Sequence, residues 1–534
     1  MNGRMRAWML AIPVACAAVM YARFFGGYWL GDDFGNLHHG WLAAQHGTTL
    51  AQAWSQVFAA VPSEGAFYRP AMIATVLVNA ALAGPRFTGW FVVDYAIHLA
   101  NVVLVALLVA ELARASGRDG RLAGIVAAAA FALCPLLAEG VFWISARADA
   151  AVTLFTLAGL LAWTRAGASV AGALTLPLGM AVALGFKESA AVLPLQLALV
   201  VVAWPTRPTR AQVVAVVACF ALAALFFVVR AHLFGDVWQV YRSAGGAPSL
   251  ERFQHAMASV APWWYALSQQ TPGAANVYVG LLAAATATIL LATRGAQRSL
   301  AAALLAASAG LCAATLLNLG GLDPSGEGGR LVYSPFAWLA LALGVGSAAT
   351  STGGRDPPAR LFGLALLAAA TISGTWVLER ELRFARAVQR DMQALALAAR
   401  EWALAHPGLT LLFIDGQRGP VVTGRNAQGG LVLPPIQPEP LLHRILPTLP
   451  AEIDLRYGQL DAGLATRLAD LRPAYVDAGV LKRMAEPDVA RWPERYACWS
   501  ARERRIVAFP PPDPAQRSAW ASAIRAAIAQ CDSQ

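Results

Sequence analysis

Two adjacent carboxylates, Asp32 and Asp33, stand in the segment Gly31-Asp32-Asp33-Phe34, just past the first apolar run of the chain. Like charges this close push one carboxyl pKa upward, which suits a general base or a shared divalent cation. The plainer alternative is a solvated turn whose charges anchor a helix end. His38 and His39 follow, a pair that more often meets solvent than a metal. A second set of residues is basic. Arg69, Arg147, Lys187, Arg230, Arg242 and Arg330 all fall near the ends of apolar runs. Acids stand near several of them in sequence: Glu139 and Asp149 near Arg147, Glu188 beside Lys187, Glu327 near Arg330. A structural ion pair accounts for any one of these. Several such cations around one cavity fit an anionic ligand, and Arg and Lys suit phosphate.

The elements that must hold these residues are apolar. Of 534 residues, 57% are hydrophobic and 13% charged, and the mean hydropathy is +0.52. A soluble chain carries about twice that charge. Such a composition excludes a soluble globular protein, a disordered chain, collagen and a secreted disulfide scaffold. The formal net charge is +10, yet only Lys187 and Lys482 are lysines, and the arginines are scattered between apolar runs with no basic block. A nucleic-acid partner is therefore excluded.

A membrane-spanning helix needs ~17–25 mostly apolar residues. That rule predicts an all-α polytopic membrane protein of about eleven spans, near 7–25, 88–112, 121–138, 150–164, 168–185, 190–204, 211–230, 276–293, 299–319, 333–349 and 360–378. Residues 70–83 are apolar but short for a span. Arg4 and Arg6, Arg114 to Arg121, Arg165, Arg207 and Arg210, Arg294 and Arg298, and Arg355 and Arg360 occupy alternate connections. Positive residues favour the cytoplasmic side, so the N-terminus is expected inside and the charged site residues outside. The first span reads as an uncleaved anchor.

Two domains are expected: a transmembrane region over 1–379, with a first outer loop at about 26–87, and a smaller extracytoplasmic α/β domain over 380–534. In the latter, 383–405 reads as an amphipathic helix and Leu409–Asp415 as a strand. Cys498 and Cys531 are the two cysteines of this tail, and an oxidising compartment predicts that they pair. No CxxC, phosphate-binding loop, GxGxxG or internal repeat is present.

Six stretches together are more specific than any one of them. Gly-Asp-Asp-Phe at 31–34, Tyr-Arg-Pro at 68–70, His98-Leu-Ala-Asn101, the run from Cys134 to Asp149, Phe-Lys-Glu-Ser at 186–189 and Arg-Leu-Val-Tyr-Ser-Pro at 330–335 follow one another over about residues 1–350. In this order they resemble polyprenyl-phosphate-sugar-dependent glycosyltransferases of the GT-C class, and within it the repeat-less bacterial branch of the transmembrane O-mannosyltransferase family. The resemblance implies an enzyme of the bacterial inner membrane. It would move a sugar, with inversion, from a polyprenyl-phosphate donor to a hydroxyl on a protein, lipid or envelope glycan.

Asp32 or Asp33 would be the general base, with its neighbour orienting the acceptor or binding a divalent metal. Arg69, Arg147, Lys187 and Arg330 would hold the lipid phosphate. Glu139, Asp149 and Glu188 would orient those bases, with His98 and Asn101 in support. Two readings stand against it: a transporter or flippase, and an envelope-assembly protein, including a ligase or polymerase acting on diphosphate-linked glycans. The transporter would need inverted repeats and mid-span charges, whereas these charges cluster at span ends.

Overall fold

A computed structural model describes residues 3–29, 33, 68–84, 86–235, 272–319, 329–350 and 358–405, together with strand residues at 411–415, 423–425, 431–433, 455–459, 474–477, 480–483, 495–500 and 505–509. In hydrocarbon every backbone N–H and C=O must find a partner inside its own segment, so apolar runs become helices. In chain order these are α1 (Gly3–Tyr21), α2 (Pro70–Ala83), α3 (Phe87–Ala115), α4 (Arg121–Ala132), α5 (Glu139–Phe142), α6 (Arg147–Ala166), α7 (Val170–Phe186), α8 (Leu193–Val202), α9 (Arg210–Phe234), α10 (Pro272–Ala292), α11 (Gly295–Leu319), α12 (Tyr333–Gly346) and α13 (Pro358–Ala405).

Six helices among the described residues are long and apolar enough to cross a membrane: Phe87–Ala115, Ile144–Ala166, Arg210–Phe234, Ala274–Ala292, Gly295–Thr315 and Pro358–Ala387. A seventh arises if the bent pair Arg121–Ala132 and Pro135–Phe142 is one span. The other expected spans are helical but shorter, at Leu10–Phe24, Val170–Phe186 and Glu188–Val202, and in the 14 residues of α12. The expected straight span 121–138 is instead bent by 53°. Pro135 opens the second piece and has no N–H to continue a helix. After that break come Glu139 at the start of the one-turn α5, Trp143 between two short turns, and Arg147 at the start of α6.

The chain divides into two compact units. In the first (Met1–Phe25, Thr49–Thr75, Trp90–Leu382), α6 packs along α7, α12 packs against α11, α4 and α6, α8 against α11, and α9 against α7. Gly179 lets α6 and α7 touch, since a Cβ there would stand 2.6 Å from the Phe155 carbonyl oxygen. Outward-facing residues repeat at helical spacing: Val170, Leu174, Leu178 and Val182 on α7 are all exposed, as are Val214, Val217, Leu225 and Val228 on α9. Stripes this apolar face lipid in a membrane protein.

The helix ends distinguish two poles of this unit. At one, Glu111 near the end of α3 accepts from Arg114 and from Arg165 at the end of α6. There a two-residue ladder pairs Arg118–Asp119 with Ala349–Thr350. Gln297 Nε2 donates to the carbonyls of Val345, Gly346 and Ala348 at 2.8, 3.1 and 3.2 Å, which caps α12. At the other pole lie the starts of α3, α6 and α12 and the end of α7.

The second unit holds Gly26–Thr48, Val76–Gly89 and Arg383–Gln534. Within it the Gly26 N–H donates to Thr88 Oγ1 at 3.1 Å, Arg386 donates to the Gly26 carbonyl at 2.8 Å, and Trp29 meets Phe87 edge-on at 5.4 Å. The strands include a four-stranded sheet in the order β4 (Arg505–Phe509), β3 (Arg495–Ser500), β1 (Leu411–Asp415), β2 (Leu455–Gln459). The β1 strand runs parallel to both neighbours. The helix expected at 383–405 is not separate. It continues the preceding apolar helix, and α13 runs 48 residues without a break through the expected domain boundary.

Candidate functional site: paired charges at one pole

Lys187 ends α7 with φ −160° and ψ 143°, an extended conformation. Consecutive side chains of an extended segment leave on opposite sides, so Lys187 and Glu188 serve different neighbours. Lys187 Nζ donates to both carboxylate oxygens of Asp149, each at 2.7 Å. Asp149 sits in the first turn of α6, where the helix dipole favours an acid. Glu188 accepts from Arg69, Nη2 to Oε1 at 2.7 Å and Nε to Oε2 at 3.1 Å. Arg69 immediately precedes α2, whose start closes on α7: a Cβ at Gly185 would lie 2.9 Å from the Ala71 Cβ. The result is a run of alternating charge, Arg69–Glu188–Lys187–Asp149.

A second pair stands on the bent segment. Arg330 Nη1 donates to Glu139 Oε1 at 2.7 Å, and the Arg330 backbone N–H donates to Oε2 at 3.0 Å. The guanidinium lies over the Trp143 ring, 4.4 Å from its centre. Gly329 is required beside it, because a Cβ would stand 2.9 Å from the Leu136 carbonyl oxygen.

Arg147 differs. Its Nε and Nη2 donate to the two oxygens of Asp94 at 2.7 and 2.8 Å, and Nη2 also to the Trp90 carbonyl at 3.1 Å. Both side chains are 0% exposed, against 22% and 12% for Arg69 and Glu188, 11% and 7% for Lys187 and Asp149, and 18% and 17% for Arg330 and Glu139. Arg69, Lys187 and Arg330 thus remain partly exposed, whereas Arg147 is enclosed. The pairings also correct those suggested by closeness in sequence. Arg147 takes neither Glu139 nor Asp149, and Glu188 serves Arg69 rather than Lys187. Glu327 lies outside the described residues.

His98 and Asn101 belong to the interior below. The Tyr333 hydroxyl lies 2.7 Å from His98 Nδ1 and accepts from Asn101 Nδ2 at 3.3 Å. Asn101 Nδ2 also donates to the Ala150 carbonyl at 3.0 Å. One residue earlier, the Asp149 carbonyl accepts from Thr153 Oγ1 at 2.9 Å and Ser334 Oγ at 3.4 Å. Side chains of α3 and α12 thus grip the first turn of α6, the turn that presents Asp149 to Lys187. Arg230, near the end of α9, is buried with its guanidinium 5.4 Å from the Phe234 ring centre.

Asp33 is fully buried, in the second unit. Asp32, His38, His39, Arg242 and Cys531 lie outside the described residues. Among the described residues no group of three or more His, Cys, Asp or Glu is placed to hold a metal ion. Sequence reasoning missed Asp94 and the linking role of Tyr333. Asp94 carried a signal, since an acid inside an apolar run needs a partner. Tyr333 stood in the Arg-Leu-Val-Tyr-Ser-Pro stretch, but a tyrosine near a span end reads as an interface anchor and its link to His98 and Asn101 had no signal of its own.

No protein-family model matches the chain, and no curated protein matches it. Solved structures do. The arabinofuranosyltransferase AftD from mycobacteria superposes with a TM-score of 0.52 at 15% identity, covering 94% of this chain and 35% of that one. A variant of AftD gives 0.50 at 14% identity, covering 94% and 37%. ArnT from Cupriavidus metallidurans, bound to undecaprenyl phosphate, gives 0.44 at 13% identity, covering 90% and 97%. The chain spans about a third of the length of AftD. The resemblance to GT-C glycosyltransferases carried by the sequence motifs is thus joined by a likeness of fold to AftD.

Proposed function

We propose that this chain is a GT-C-type membrane glycosyltransferase that moves a sugar from a polyprenyl-phosphate donor to a hydroxyl acceptor, with inversion, on the extracytoplasmic face. The observation that carries this reading is the charge run Arg69–Glu188–Lys187–Asp149, with Arg330–Glu139, assembled from distant segments at one pole of an apolar helical unit. The motif resemblance and the fold likeness to AftD support it. A lipid-linked donor matches the architecture: its chain needs apolar helix faces, and its phosphate needs cations at helix ends.

In this reading the eleven apolar segments all cross or enter the membrane, the N-terminus is cytoplasmic, and the tail forms an extracytoplasmic α/β domain with Cys498 and Cys531 paired. The acceptor hydroxyl attacks the anomeric carbon as the bond to phosphate oxygen breaks. Asp32 or Asp33 takes the hydroxyl proton, with or without a divalent cation at the pair. Arg69, Lys187 and Arg330 stabilise the charge gathering on the departing phosphate, the electrostatic contribution that usually dominates. Arg147 is moved from the ligand set to the scaffold, since Asp94 encloses it.

The test is genetic and chemical. A bacterial strain lacking the chain is complemented with wild type, Asp32→Asn or Asp33→Asn at equal membrane levels. Lipid, polysaccharide and protein glycans are then compared by mass spectrometry. One sugar lost in the deletion, restored by wild type and still missing with either variant supports the transferase. Full restoration by both variants rejects the acidic pair as catalytic and favours a transporter or assembly role.

A further inference from the structure

An arginine at a helix end has two electrostatic partners within reach, the helix dipole and any nearby acid. At the pole that holds Glu111, two arginines have both. Arg114 and Arg165 stand in the last turns of α3 and α6, where the dipole favours a cation, and both pair with Glu111. Four others have neither. Arg210 opens α9 and Arg298 closes the first turn of α11, and neither helix has an acid in that turn. A helix start disfavours positive charge. Arg207 and Arg294 lie in the connections just before those helices. All four are exposed, and no acid among the described residues pairs with any of them.

Both arginine pairs belong to this pole. Thr209 Oγ1 donates to the Gly167 carbonyl at 2.5 Å, and Gln212 Nε2 donates to the Trp163 carbonyl at 3.1 Å, so α9 starts beside the end of α6. Gln297, next to Arg298, donates to the carbonyls that end α12. The helix α8 packs against both α9 and α11, and Gln196 Nε2 donates to the Ala307 carbonyl across the second contact at 3.1 Å. From there α8 runs on to Val202, and Trp204 just beyond meets Trp163 edge-on at 5.0 Å. Leu195, Leu199 and Val202 repeat at helical spacing on α8 and are all exposed. An apolar strip thus leads to a helix end whose two neighbours start with unpaired arginines. A topology signal asks only for positive charge somewhere in a connection. It does not call for arginines at the unfavourable ends of the two helices beside one apolar strip.

We propose that the end of α8 is a binding site for an anionic phospholipid, with an acyl chain along Leu195, Leu199 and Val202 and the phosphate held by Arg207, Arg210, Arg294 and Arg298. The headgroup carries net negative charge, because a zwitterionic one brings its own cation to four arginines. The inference rests on the helices crossing a membrane and is independent of the sugar donor, which is assigned to the opposite pole.

The experiment titrates dioleoyl phosphatidylglycerol or dioleoyl phosphatidylcholine into the full-length protein in non-ionic detergent. Bound lipid is counted by native mass spectrometry, and thermal unfolding is followed in parallel. Wild type is compared with Arg207→Gln/Arg210→Gln, Arg294→Gln/Arg298→Gln, the fourfold Gln variant and the fourfold Lys variant. Wild type is expected to bind the phosphatidylglycerol about tenfold or more tighter than the phosphatidylcholine. Each double Gln variant narrows that preference several-fold, the fourfold Gln variant abolishes it, and the fourfold Lys variant keeps most of it. Without added lipid the Gln variants unfold at the wild-type temperature, since these arginines hold no acid. Should the fourfold Gln variant fail to fold, the two double variants decide the matter. Glycerol 3-phosphate, the same anion without chains, is expected not to displace bound phosphatidylglycerol at equal concentration. Equal affinity of wild type for the two lipids, or a preference that survives in the Gln variants, overturns the proposal. Displacement by glycerol 3-phosphate overturns it as a lipid site and leaves a site for small anions.

Discussion

The two poles of the helical unit use the same residue types in opposite ways. At the Glu111 pole, Arg114 and Arg165 share one acid with their side chains 61% and 50% exposed, and one of the pairs is only three residues apart in sequence. Pairs of this kind contribute little to stability and are screened by salt. At the opposite pole the partners are 119, 53, 38 and 191 residues apart, and water reaches them poorly. Taking such charges out of water is costly unless each is matched. The helical unit thus keeps its enclosed, matched pairs at one pole and exposed arginines at the other.

The most damaging way to probe this contrast is to open the enclosed pair. Asp94→Ala is expected to cost about 3–5 kcal/mol, because it strands a buried guanidinium. Thermal unfolding in detergent measures it, and the double variant Asp94→Leu/Arg147→Met should recover most of the loss. An Asp94→Ala protein as stable as wild type would remove the distinction between Arg147 and the three partly exposed cations.

A smaller effect concerns the partly exposed pairs. Glu188→Gln removes the carboxylate that Arg69 holds at two points and is expected to cost about 1–3 kcal/mol in thermal unfolding in detergent, less than Asp94→Ala. A loss as large as that of Asp94→Ala would remove the distinction between enclosed and partly exposed pairs.

The smallest effect belongs to the other pole. Arg165→Gln should change stability by less than ~1 kcal/mol, with the difference vanishing at high salt and sugar transfer unaltered. A loss of transfer would break the comparison, since it would couple the two poles.

Much of the fold was legible in the sequence because lipid leaves few options. An apolar run must become a helix, and each segment expected to span is helical. Lengths were less legible. Pro135 breaks the expected span 121–138 after Ala132, and a run of short turns follows, one of which starts at Glu139. The helix of 383–405 looked separate because its apolar face narrows after Leu382, yet no proline or glycine interrupts it, so the backbone continues. Arg69, Lys187, Glu188, Asp149, Glu139 and Arg330 were all singled out in the sequence as charges, but nothing there showed that Arg147 would meet Asp94 or that Lys187 would meet Asp149.

What the sequence by itself determined is the solvent, the helices and the inventory of charge. Composition demanded a lipid environment, and spacing put cations and acids near helix ends. Which acid meets which cation was decided by tertiary structure. Lys187 and Glu188 are adjacent, and an extended backbone between them sends one to α6 and the other to Arg69. Asp94 was one acid in an apolar run until α3 and α6 packed and enclosed it with Arg147. Coulomb attraction between buried groups acts over a few ångströms, and only packing brings residues so far apart in the chain within that range.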